Sequence, residues 1–193
     1  MKHFYQEVPG WFDFEDIYTA HVAAAQDGAH FVEVGTLFGK SAAFMAVEIL
    51  NAHKRITFDT IDTFQPMRRD LVDPADWLWY ERTWQQHGSL RAAADDFLRP
   101  VAATVHVRPG NSLTMAQTYP DASLDLVYLD YDHTGAHVAE ELRVWWPKVR
   151  LEGTLAGHDL NFPEVEAAVM TFADWLARNG QRVMVPRKGR TWG

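Results

Sequence analysis

No cysteine occurs in the 193 residues. That absence excludes a disulfide framework, a thiolate nucleophile, a Cys-ligated zinc and an iron–sulfur cluster. No apolar run approaches the roughly 18 residues of a membrane span, and the opening MKHFYQEVPGWFDFED has no signal-peptide core. Positive charge is scarce: 18 Lys and Arg against 26 Asp and Glu leave a formal charge of −8. A surface of that sign does not displace counterions from a phosphate backbone, so nucleic acid is not an expected partner. Gly/Ser linkers, repeats and low-complexity tracts are also missing. These exclusions lead to the expectation of one soluble domain over residues 1–193, with a cytoplasmic location and no membrane partner.

What is present is an alternation of short apolar runs and helical periods. Strands are predicted at His30–Val34, Arg55–Ile61, Thr104–Arg108, Leu124–Leu129, Gly153–Ala156 and Arg182–Val185. Between them lie helical segments: one entered at Asp13 as N-cap, then about Ser41–Ala52, Leu90–Leu98, Gly135–Trp146 and Pro163–Arg178. Residues 66–86 differ, with Pro66, Pro74 and a concentration of Trp77, Trp79, Tyr80 and Trp84. This aromatic insertion reads as a lid over an acceptor, a self-association surface or an extra helix packed on the core. Strands alternating with helices imply βαβ units and a mostly parallel α/β sheet, which binds ligands beyond the carboxyl ends of its strands. The polar residues fall at those ends: Glu33 to Gly39, Asp62, Asn111, Asp130 and His158-Asp159.

Three groups carry the chemistry. Gly35 and Gly39 let the backbone turn tightly ahead of a helix, but the spacing fits neither G-x-G-x-x-G nor G-x-x-x-x-G-K-[ST]. Glu33 on the strand argues against a phosphate and for a cationic or hydroxyl-bearing ligand. Asp62, ending the second strand, has the chemistry to accept both hydroxyls of a ribose. Asp130, His158 and Asp159 end two strands predicted to be neighbours, and carboxylates with an imidazole on one edge suit a divalent cation. A hydrogen-bonded polar cluster without metal is the alternative. His133 and His137, four apart, are a further pair.

The segments FVEVGTLFGKSA (31–42), IDTF (61–64), LDLVYLDYDHTGAHVAEELRVWWPKVRLEGTLAGHD (124–159) and PEVEAAVMTF (163–172) resemble class I S-adenosylmethionine-dependent methyltransferases. The branch they are most similar to is the small bacterial group related to macrocin and catechol O-methyltransferases. The resemblance implies a Rossmann-like, doubly wound sheet of order 3-2-1-4-5-7-6 with a short, antiparallel last strand. It implies that the turn Gly35–Gly39, with Thr36 and Ser41, passes the methionine part of S-adenosyl-L-methionine. Glu33 would face the donor's amino group or support the turn, and Asp62 would hold the ribose. Asn111 and Ser112 stand where an acid often lies near the adenine. Asp130, His158 and Asp159 fall on the places of a magnesium site, so Mg2+ or Mn2+ is the implied metal; His158 in place of an acid lowers hard-cation affinity and would favour manganese, iron or zinc. His133 stands where the catechol-type enzymes carry a lysine base, three residues past Asp130.

The resulting expectation is O-methylation of a small hydroxylated molecule, with Asp130 and His133 as the catalytic pair. Its alternatives are a metal-independent O- or N-methyltransferase with a histidine base, and a donor-binding domain without catalysis. The acceptor pocket is expected from residues 1–15 and the tryptophan insertion. The very short last strand would leave an edge for a partner subunit in a homo-oligomer.

Overall fold

Short runs such as FVEV and LDLVYL are too brief for helices and too apolar for loops, so they are strands buried on both faces. The computed structural model describes residues 1–131, 133–181 and 187–193. In chain order the elements are α1 (Glu15–Ala24), β1 (His30–Val34), α2 (Lys40–Ala52), β2 (Thr57–Asp62), α3 (Pro74–His87), α4 (Leu90–Leu98) and β3 (Val105–Pro109). They continue with α5 (Ser112–Ala116), β4 (Leu124–Leu129), α6 (Gly135–Trp145), β5 (Val149–Gly157), α7 (Pro163–Arg178), β6 (Arg187–Lys188) and β7 (Thr191–Trp192).

The strands are ordered β3-β2-β1-β4-β5-β7-β6, the doubly wound order expected for the chain. The β1–β4, β2–β3 and β4–β5 pairs are parallel, and β7 runs antiparallel to β5 and β6. The strand expected at Arg182–Val185 lies outside the described residues.

By its internal contacts the chain divides into two units, Met1–Ala29 with Thr36–Gly110, and His30–Gly35 with Asn111–Gly193. In the first unit, α2 is buried at every residue from Ser41 to Val47, as a helix with apolar residues all round must be. The N-cap of α1 is Phe14 rather than the expected Asp13, and the Phe14 side chain makes no capping hydrogen bond. Phe14 is buried with its ring 5.1 Å from that of Tyr18, so apolar burial anchors the start of this helix.

The aromatic insertion forms α3. Asp73 caps it through Ala75 N at 2.8 Å, Pro74 opens it, and Gly88 at φ +82° closes it. Tyr80 is fully buried against Phe38 and its hydroxyl accepts from Met67 N at 2.9 Å. Trp79 meets Trp11 at 4.9 Å, so the insertion and the N-terminal segment touch.

In the second unit, α6 and α7 pack together, and the Glu164 carboxylate accepts the Gly135 N–H at 3.1 Å where α6 begins. The parallel ladder runs one residue past the strands. Asp130 N donates to Val34 O at 2.8 Å, and His158 N donates to Leu129 O at 3.0 Å. Those two bonds bring Asp130 and His158 to one level at the strand ends.

Candidate functional site

Within the second unit the polar ends of β4 and β5 converge. The His158 Nδ1 atom lies 3.1 Å from Asp159 Oδ1 and 3.6 Å from Asp130 Oδ1. His133 Nδ1 lies 3.0 Å from the other Asp159 oxygen, and its ring stacks on Phe162 at 5.1 Å with 4° between the planes. Asp130, His158 and Asp159 each offer one ligand atom, and all three atoms lie within 4.8 Å of one another. The three residues singled out in the sequence for a metal are thus the three that meet.

Burial acts on both carboxyls. It pushes the Asp130 carboxyl up to about 7, opposed by His158 and reinforced by the negative charges of Asp159 and Glu33. Burial also acts against ionised Asp159, but hydrogen bonds from His133 and His158 outweigh it and hold that carboxyl well below the usual range. Glu33 on β1 is itself 1% exposed. A small cavity of about 10 Å3 opens beside the cluster, lined by Asp130, Glu141, His158 and Asp159 and walled by Val138 and Val165. That volume suits a single water or ion.

Gly35 has φ +107°, and a Cβ there would run into the Asp130 carbonyl oxygen. Its conformation and lack of side chain allow β1 to pass this close to the end of β4. Asn111 and Ser112 both make hydrogen bonds within this unit. Asn111 Oδ1 caps α5, accepting from Leu113 N at 3.0 Å and Thr114 N at 3.4 Å. Ser112 is buried, and its Oγ accepts the Trp145 indole N–H at 2.9 Å.

In the first unit, Asp62 organises the turn that precedes α2. Its Oδ2 accepts from Thr36 N at 3.0 Å and Leu37 N at 2.8 Å, and its Oδ1 accepts from Phe64 N at 2.7 Å. Burial raises this carboxyl, and the backbone N–H groups partly offset that. Thr36 turns its side chain inward, Oγ1 lying 2.6 Å from Thr60 Oγ1. Gly39 at φ +88° is the N-cap of α2, without a side-chain cap, and a Cβ there would press within 2.8 Å of Leu98. Ser41 lies buried in the first turn of α2.

Two residues of the candidate site were not singled out in the sequence. Glu141 is 1% exposed, with Oε1 3.7 Å from His137 Nε2. Its signal was readable: Val138, Glu141, Leu142 and Trp145 follow the i, i+3, i+4, i+7 spacing of one buried face. Trp192 donates its indole N–H to the His158 carbonyl at 3.1 Å, and no sequence pattern marks that contact.

Against known families, the model described as "Methyltransferase domain" matches residues 32–160, two thirds of the chain. No curated protein matches it in sequence. Among solved structures, the O-methyltransferase NovP is 20% identical with a TM-score of 0.57, covering 92% of this chain and 78% of its own. A precorrin-6y C5,15-methyltransferase from Geobacter metallireducens is 13% identical with a TM-score of 0.56, covering 89% and 72%. A Streptococcus mutans protein in complex with SAH is 8% identical with a TM-score of 0.57, covering 95% and 96%. Identities this low carry the fold alone. The family match, the strand order and the polar strand ends agree: the chain belongs to the methyltransferase domain family and is an S-adenosylmethionine-dependent methyltransferase.

Proposed function

We propose that the whole chain works as one methyltransferase domain that O-methylates a small hydroxylated molecule with the assistance of a divalent metal. The observation that carries this reading is the meeting of Asp130, His158 and Asp159 beside a cavity of ion size, with His133 on the same carboxylate. The donor set fits a cation chemically: two carboxylates and an imidazole, the half-buried Asp130 carboxylate being desolvated at a cost that positive charge would relieve. A bound divalent cation there supplies charge that lowers the pKa of an acceptor hydroxyl.

The chain's own residues then have separate tasks. Asp62 shapes the turn before α2 by taking the Thr36 and Leu37 N–H groups, and the start of α2 that follows suits the carboxylate of the methionine part of the donor. Glu33 would face the donor's amino group. His133, its Nδ1 held 3.0 Å from Asp159 Oδ2, is the residue that would take the proton from the acceptor oxygen. Stacking on Phe162 fixes the plane of that imidazole. In the transfer the acceptor oxygen bonds the methyl carbon, the carbon–sulfur bond breaks, and the proton rests on His133.

A metal-independent reading has its own support, since the Asp159 carboxylate lies between His133 and His158 and could hold either imidazole as a base. One experiment separates the two. Donor and SAH binding are measured by calorimetry, and methyl transfer to a panel of hydroxylated small molecules is followed with and without EDTA. Metal assistance predicts that donor binding survives EDTA while turnover falls by about a hundredfold or more and returns with Mg2+ or Mn2+. Turnover unchanged by EDTA supports the histidine-base reading instead. Loss of SAH binding by about tenfold or more in Asp62→Ala checks the donor turn.

A further inference from the structure

The nitrogen in the cluster is held as firmly as the carboxylates. His158 sits at the end of β5, with its N–H bonded to Leu129 O at 3.0 Å and its carbonyl accepting the Trp192 indole N–H at 3.1 Å. Two residues on, Leu160 N donates to Arg190 O at 2.8 Å. Gly157 lies flat against the Trp192 ring, where any Cβ would collide with the indole. The backbone that carries the imidazole is therefore clamped on both sides, to β4 and to the β7 hairpin. The side chain itself is 9% exposed, and Nδ1 is the ring atom turned toward both carboxylates.

A third carboxylate here would make an all-oxygen site, which suits Mg2+ and Ca2+. One imidazole nitrogen with two carboxylate oxygens is a donor set of intermediate softness, suited to Mn2+, Fe2+, Co2+ or Zn2+. Mg2+ keeps its waters and gains little from a nitrogen ligand. We infer that His158 is the selectivity residue of this centre, ligating through Nδ1 and making the protein prefer a first-row transition-metal dication to Mg2+. This inference rests on the metal-assisted reading proposed above.

The test uses the full chain stripped with chelator and titrated calorimetrically with MnCl2 and with MgCl2. The Mn2+-loaded protein is then studied by pulsed electron paramagnetic resonance. Mn2+ is expected to bind about tenfold or more tightly than Mg2+, and its electron spin-echo signal is expected to carry the modulation of a directly bound 14N nucleus. In His158→Asp, whose fold is checked by thermal melting, the 14N modulation disappears and the preference for Mn2+ shrinks. Where that variant does not fold, His133→Gln decides the question: 14N modulation that persists in it supports His158, and modulation lost in it overturns the assignment. Mn2+ binding without 14N modulation, modulation that survives His158→Asp, or an unchanged Mn2+/Mg2+ ratio overturns the assignment of His158 and leaves metal assistance standing. Binding of neither cation overturns metal assistance, and this inference with it.

Discussion

At the scale of single residues, Asp130 and Gly35 form one device. The glycine admits the Asp130 carbonyl into space that a side chain would fill, and its φ of +107° is one that L side chains rarely adopt. Gly35→Ala is expected to cost roughly 1–3 kcal/mol from backbone strain alone, with the collision added. A thermal melt within a degree of wild type would refute that. The carboxyl of Asp130, pushed up to about 7 chiefly by burial, compares with about 3.9 in an unfolded chain. Between those values unfolding releases a proton, so this group's contribution to stability falls as pH rises from about 4 to about 7 and stays low above it. In chelator-treated protein, Asp130→Asn is therefore expected to improve in Tm relative to wild type on going from pH 4 to pH 8. Equal differences at both pH values would contradict the shift. Asp130, His158 and Asp159 were legible because each ends an apolar strand, where a polar side chain has no packing reason to be. The engaged oxygens of Asn111 and Ser112 were not legible, because their partners depend on where α5 starts and where Trp145 points.

At the scale of elements, strands and helices with clean apolar periods were readable almost to the residue, His30–Val34, Leu90–Leu98 and Leu124–Leu129 among them. The helix α3 was harder, because its aromatic residues do not gather on one stripe: Tyr80 is buried while Leu78 is exposed. Its end signals, Asp73-Pro74 and Gly88, were nevertheless in the sequence. Tyr80 ties this helix to the preceding segment through the Met67 N–H. Tyr80→Phe keeps the ring and removes that acceptor, so it is expected to cost about 1 kcal/mol. It is also expected to speed proteolytic cleavage within residues 67–73. Unchanged cleavage there would show that the segment is held by other contacts.

At the scale of the whole molecule, the formal charge of −8 predicts no measurable shift of duplex DNA in a gel assay at about 50 mM salt, where non-specific basic binders are retained. Retention would mean that a local basic surface overrides the net charge. Among the described residues no helix is long and apolar enough to cross a membrane. The sequence by itself determined the class of fold, the alternation of elements and the residue types at the strand ends, because apolar periodicity and turn chemistry are local properties of the chain. Only the tertiary structure decided which of those side chains meet. Asp62, read as a ribose ligand, is also the acceptor for the N–H groups of Leu37 and Thr36, 25 and 26 positions away. Glu141 and Trp192 join the cluster from α6 and β7. Such contacts arise when distant segments are packed side by side, and nothing local to a segment specifies its neighbour's side chains.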